Sequence, residues 1–366
     1  MRSEHTQGKD AAARPATNRV IACRGGRDLA LETRPVPVPG PGEMLLRVRV
    51  SGLCGTDLFK LETGAVTDGM VLGHEIVGDV TALGAGMDRF RLGQRVAVPH
   101  HVSCGQCAYC RRGSETMCRT FKENLLEPGG FADFALVRSR AAALAARAVP
   151  DGIPDEAAVF MEPAACVLRG VNRSALGTEG VAVIQGAGSM GLLHILVIRA
   201  VRPGVRIVAV DPMAERCRLA ERLGAGAGTP PGEATARAVR DLSGGLGSDA
   251  VFDTVGGPAL LHAALDLTRE GGTVVLFAHA PAGARADFDL NQLFKYERRV
   301  LGAYSAGVPE QEEIFAAISD GRLDPSPLVS HRFPLEDGPR GMELLRQRRG
   351  LKILLYPTRE LSKELI

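Results

Sequence analysis

From Val20 to about Val137 the chain alternates short apolar runs of β type with glycine and proline: 44–50, 76–80, 95–98 and 131–137, punctuated at 35–42 and 84–86. This spacing predicts a β-rich, barrel-like unit. The texture changes after Pro154, where 155–170 takes on helical spacing. Beyond it, short apolar runs at 181–185, 206–210, 250–253 and 273–277 alternate with helical segments such as 213–223 and 259–268. Runs with no polar face belong in a parallel sheet covered by helices on both sides. The alternation therefore predicts an α/β doubly wound sheet over residues 166–304. From Gln311 onward two further helices and the apolar strand Lys352–Tyr356 are expected, with 305–366 returning to the first unit.

At 366 residues the chain is too long for one core, so two domains are expected, the first over 20–165. Hydrophobic residues make up 45% and charged residues 23%, as in ordinary globular proteins. A net charge of only +2 argues against nucleic acid or an anionic membrane as the main partner and favours a small molecule. No apolar run approaches the roughly 20 residues of a membrane span. Residues 1–19 are polar, with no apolar segment of a secretory signal, and are read as a disordered extension. With no export signal, a cytoplasmic location is expected.

The strand at 181–185 leads into Gly186-Ala187-Gly188-Ser189-Met190-Gly191, and a helical stretch follows at once. In that setting the glycines permit a tight turn, close approach of a pyrophosphate and packing of helix on strand, while the helix N-terminus receives the phosphates. The next strand ends at Asp211, where a carboxylate accepts hydrogen bonds from the adenosine ribose and repels the 2′-phosphate of NADP. NAD is the expected cofactor.

Four of the eight cysteines, Cys104, Cys107, Cys110 and Cys118, fall within one short glycine-containing loop. Such spacing suits a closed tetrahedral zinc site, which stabilises a lobe and leaves no position open for chemistry. His100 and His101 lie nearby but are surplus to a site filled by four thiolates. A second, open set is scattered: Cys54, the pair His74-Glu75, and Glu162. Mixed sulfur, nitrogen and oxygen ligands with one free position suit catalytic zinc. Taken singly, each also reads as an ordinary core or surface residue.

In their order along the chain, Cys54-Gly55-Thr56-Asp57, Gly73-His74-Glu75, the four-cysteine loop, Glu162-Pro163 and Gly186–Gly191 resemble the zinc-containing medium-chain alcohol and polyol dehydrogenases. The resemblance runs from about Val20 to Tyr356 and implies a GroES-like catalytic domain with an inserted Rossmann domain, the active site lying between them. It implies two zinc ions per chain, with Cys54, His74 and Glu162 as catalytic ligands and Glu75 either beside the metal or entering its coordination. Glu162 stands where ethanol-oxidising members carry cysteine, similar to the sorbitol and threonine dehydrogenase branch, which moves the expected substrate from ethanol toward polyols and amino alcohols; a sugar alcohol, a cyclitol or aminocyclitol and a simple secondary alcohol are the candidates. A homodimer or homotetramer is likewise implied.

Thr56 is placed to take the alcohol proton, and Asp57 to cap the following helix. Many relatives carry a histidine three positions after the relay threonine; this chain has Phe59. Protons are then expected to leave through cofactor ribose and water or through Glu75. Two competing readings are a non-catalytic zinc- and NAD(H)-binding redox sensor and a zinc-free quinone or enoyl reductase. Retention of both metal sets argues against each.

Overall fold

The computed structural model describes residues 17–357. The chain opens with an antiparallel hairpin of β1 (Thr17–Arg24) and β2 (Asp28–Pro35). It continues through β3 (Met44–Leu53), α1 (Gly55–Thr63), β4 (Glu75–Leu83), β5 (Arg95–Pro99), α2 (Ala108–Arg111), β6 (Leu126–Glu127) and β7 (Phe134–Val137). α3 (Ser139–Leu144), β8 (Arg147–Ala148), α4 (Asp155–Ala158) and α5 (Met161–Arg173) lead out of this unit. Most of the expected extension, residues 1–16, lies outside the described residues, but Thr17–Arg19 already belong to β1. Their polarity misleads because it is matched: the buried Asn18 amide donates to Phe134 O at 2.8 Å and accepts from Phe134 N at 2.9 Å.

The helix expected over 155–170 is two helices, α4 and α5, separated at Val159 and Phe160. Pro163 supplies the reason. In one continuous helix it would lack the bond to Val159 O and clash with that carbonyl, whereas in the first turn of α5 it is tolerated.

A parallel six-stranded sheet follows in the order β11-β10-β9-β12-β13-β14. Its strands are β9 (Glu179–Gln185), β10 (Gly204–Val210), β11 (Ala227–Thr229), β12 (Ser248–Asp253), β13 (Thr268–Leu276) and β14 (Arg299–Gly302). Helices α6 (Ser189–Val201), α7 (Ala214–Arg222), α8 (Glu233–Ser243), α9 (Pro258–Leu267) and α10 (Asn291–Phe294) connect them. Alternate residues of the central strands enter two different cores: Val181, Val183 and Val251 pack on one face, Ala182, Ile184 and Phe252 on the other. That double burial is why these strands carry no polar face. Strand order reverses between β9 and β12, and a crevice at such a point beyond the carboxyl ends is where α/β sheets bind ligands.

The chain then passes α11 (Val308–Ser319), β15 (Val329–Pro334), α12 (Gly338–Arg346) and β16 (Lys352–Tyr356). β16 pairs antiparallel with β3, setting Ile353 opposite Leu53, and so closes the mainly antiparallel sheet β15-β16-β3-β4-β5-β8 of the first unit. The fold is thus a β-rich unit with a doubly wound α/β sheet inserted before its last strands. Among the described residues no helix is long and apolar enough to cross a membrane.

Candidate active site

The end of β3 and the start of β4 lie side by side, with Gly52 opposite Glu75 in register. This pairing brings Cys54, just past β3, to His74 and Glu75, and the three donors converge within 4.8 Å of one another. Cys54 is the N-cap of α1; its Sγ accepts from Thr56 N at 3.5 Å. Asp57, fully buried, does more than the cap expected of it. One oxygen accepts from Cys54 N at 3.1 Å, and the other lies 3.2 Å from His74 Nδ1. A carboxylate on Nδ1 fixes the ring and directs Nε2 to the remaining donors, the arrangement that orients metal-binding histidines. Burial works to lower the His74 pKa, but Asp57 and Cys54 outweigh it and raise it well above the ordinary imidazole range. The pocket therefore favours positive charge, which fits a divalent cation among a thiolate, an imidazole and carboxylates.

Glu75 has a partner that sequence reading missed. Lys352, in the apolar strand β16, places Nζ at 2.7 and 2.6 Å from the two Glu75 oxygens and 3.4 Å from Leu53 O. Both side chains are almost wholly buried. Burial acts against the lysine's charge, yet attraction to Glu75 and Cys54 prevails and raises its pKa. Gly52 makes room for the pair, since a Cβ there would come within 2.1 Å of Glu75 Oε2. A charged residue opening an otherwise apolar five-residue strand was the available signal.

Glu162 stands apart from the converging trio. It lies in the first turn of α5 and its Oε1 accepts from Cys166 Sγ at 3.5 Å. Burial raises its pKa, His74 opposes the rise and Glu75 adds to it, so its carboxyl senses the same pocket. His100 stacks between His74 and His101, with ring centroids 4.5 and 3.6 Å away. Burial, together with the nearby charges of His74 and Lys60, lowers His100 well below the ordinary range and His101 to about 3, leaving both rings neutral. Thr56 is half-buried in the first turn of α1, and Phe59, one turn on, stacks face to face with His279 from the loop after β13.

The four lobe cysteines converge as well. Their donor atoms lie within 4.8 Å of one another, with Cys107 and Cys110 sulfurs 3.5 Å apart and Cys104 and Cys110 sulfurs 3.9 Å apart. A tetrahedral ion with Zn–S bonds of about 2.3 Å requires sulfur pairs roughly 3.8 Å apart, so the spacing fits zinc. Against the burial that raises it, hydrogen bonds from Thr120 and the Cys104 amide lower the Cys118 thiol to about 6, toward the thiolate a metal binds. The buried Arg169 fastens this lobe to α5, reaching Glu115 at 3.4 Å and Glu310 at 2.9 Å.

At the end of β9, Gly186 takes φ +91°, and a Cβ on Gly191 would come within 1.7 Å of Gly186 O. Both positions therefore require glycine. Gly188 caps α6, and at its first turn the Ser189 hydroxyl is buried without a hydrogen-bond partner among the described residues, beside Met190. A hydroxyl so placed at a helix N-terminus could donate to a phosphate. The nearly buried Asp211 joins this loop: Oδ2 accepts from Ala187 N and Oδ1 from Met213 N, each at 2.9 Å.

A thiol–imidazole–carboxylate pocket, a four-thiol lobe and a dinucleotide loop at the switch point together define a zinc-binding dehydrogenase. Residues 40–149 match the model of the alcohol dehydrogenase GroES-like domain and residues 189–320 that of the zinc-binding dehydrogenase domain. An erythritol/L-threitol dehydrogenase of Mycolicibacterium smegmatis is 31% identical over 94% of this chain and 98% of its own length. An L-threonine 3-dehydrogenase of Rhizobium rhizogenes is 29% identical over 89% of this chain and 94% of that enzyme. The structure of an alcohol dehydrogenase from Thermus sp. ATN1 superposes with a TM-score of 0.82 at 30% identity, covering 92% of this chain and 99% of that one. The chain belongs to the zinc-containing medium-chain alcohol and polyol dehydrogenase family.

Proposed function

We propose that the chain oxidises a secondary hydroxyl of a polyol or related alcohol with NAD, or reduces the matching ketone, in the cytoplasm. The observation that carries the reading is the convergence of the Cys54, His74 and Glu75 donors, with the buried Asp57 holding the His74 ring and Glu162 sensing the same pocket. Cys54, His74 and Glu162 are the residues that would hold the catalytic zinc, and Cys104, Cys107, Cys110 and Cys118 the structural one. Zinc, when bound, would supply the positive charge that lowers the pKa of an alcohol oxygen it holds toward neutrality and so ease loss of the hydroxyl proton as hydride leaves.

The chain's own residues do the rest. Asp57 fixes the His74 ring and Lys352 fixes Glu75 at the edge of the pocket. Thr56 receives the alcohol proton through its hydroxyl. Gly186, Gly188, Ser189, Met190 and Gly191 receive the pyrophosphate at the start of α6, and Asp211 takes the ribose hydroxyls. All eight cysteines are unpaired, which supports a reducing compartment.

Zinc content and turnover test the reading together. Plasma emission spectrometry is expected to find two zinc ions per chain, and one after Cys110→Ser. NAD reduction is expected with members of a panel of erythritol, threitol, sorbitol, butane-2,3-diol, L-threonine and a cyclitol, with ethanol at least about tenfold poorer in kcat/KM. Two zinc ions without NAD reduction by any alcohol would favour the sensor, and a single zinc would remove the catalytic site.

The second sheet supports assembly with a second copy. β14 is its edge strand, and Leu290 and Phe294, close by in sequence, are 74% and 85% exposed. An unpaired edge beside apolar side chains favours pairing with a second copy. Light scattering is expected to report a dimer or tetramer; a monomer at micromolar concentration would refute this.

A further inference from the structure

We propose that His279 receives the alcohol proton from Thr56 and delivers it to solvent. The proposal rests on the reading of the chain as an alcohol dehydrogenase. Each hydride that leaves carbon requires the hydroxyl to give up a proton, and the acidic groups around Thr56 are otherwise engaged. Asp57 is fully buried between Cys54 N, Gly73 N and His74, while both oxygens of Glu75 face Lys352. Neither opens to water. His279 does: it is exposed, on the loop that follows β13 of the nucleotide-binding sheet.

Its ring lies parallel to Phe59, with centroids 4.2 Å apart and planes 6° from coplanar. Phe59 and Thr56 are three residues apart on α1 and so share one helix face. The stack thus sets an exposed imidazole from the second unit against Phe59, one turn along α1 from Thr56. Gly256 lets the loop after β12 pass close to the backbone of this loop, since a Cβ there would come within 2.8 Å of His279 O. The charged groups on α1, whose Phe59 stacks on this ring, are Asp57, Lys60 and Glu62.

In the step, hydride passes from the carbinol carbon to the nicotinamide and the hydroxyl O–H bond breaks. Thr56 accepts that proton as its own passes through bridging water to an imidazole nitrogen. The imidazolium then loses the proton to bulk water, so alcohol and NAD⁺ give ketone, NADH and one proton.

His279→Phe keeps the stack and removes the acceptor, so it separates the two roles of the ring. Zinc-loaded enzyme is mixed with NAD and trifluoroethanol, an acidic alcohol that resists oxidation, and proton release is followed in stopped flow with phenol red. In His279→Phe release is expected to be at least about tenfold slower than in wild type. The exchanged variant Phe59→His with His279→Phe is expected to regain the wild-type rate. Release from His279→Phe at the wild-type rate, or an exchanged variant that stays slow, overturns the proposal while leaving the dehydrogenase reading intact. No proton release by wild type overturns the alcohol-binding reading and this inference with it.

Discussion

Replacing Lys352 by methionine is expected to destabilise the protein by about 3–5 kcal/mol, the cost of leaving a buried charge without its partner. The side chains of Lys352 and Glu75 are 3% and 0% exposed, so water cannot take over the role of the lysine. Glu75 has nowhere to turn: Gly52 and β4 enclose its carboxylate, and both oxygens are within 2.7 Å of Nζ. The protein would then unfold in part or protonate Glu75 to fold. Removing both charges, with Glu75→Gln added to Lys352→Met, is expected to restore most of the loss, because a buried pair contributes little beyond an apolar replacement of similar volume. Urea denaturation of the two variants and wild type measures this. A loss below about 1 kcal/mol in the single variant would mean that the pair is screened as surface pairs are.

The same pair shows where reading the sequence stops. Alternation of short apolar runs was enough for the fold class, because residues 181–184 supply both cores of a doubly wound sheet and can carry no polar face. The four-thiol lobe and the glycine loop were legible for another reason: each is a single stretch of chain, so spacing in sequence is spacing in space. Cys54 and the His74-Glu75 pair are brought together by strand register, which no local pattern encodes. Lys352 lies 277 positions from Glu75 and reaches it only because β16 returns to pair with β3. His279 meets Phe59 across two units, and a lone histidine after a strand carries no mark of that. Asp57 was legible as a cap but not as the partner of His74, since its two oxygens do different work.

Asp211→Ser is expected to shift cofactor preference from NAD toward NADP by about 10²–10³-fold in the ratio of kcat/KM, a change of roughly 3–4 kcal/mol at about 1.36 kcal/mol per tenfold. Two effects add. A carboxylate that accepts ribose hydroxyls is worth about 1.5–3 kcal/mol per hydrogen bond, and the variant loses that for NAD. The same charge repels a 2′-phosphate, by about 4 kcal/mol for each pair of unit charges 4 Å apart at an effective dielectric near 20, and the variant relieves it. Arg216 reinforces the switch. Its guanidinium lies 3.8 Å from Asp211 and its other arm is anchored on Arg348 O at 2.9 Å, so without the carboxylate it faces the ribose pocket as an available cation. The double variant Asp211→Ser with Arg216→Ala should therefore lose NAD as the single one does but gain little with NADP. Asp211 also holds the loop through Ala187 N and Met213 N, so its loss costs some stability, and thermal melts keep that cost separate from preference. A uniform fall in kcat/KM for both cofactors would show that Asp211 serves the loop alone and that discrimination lies elsewhere.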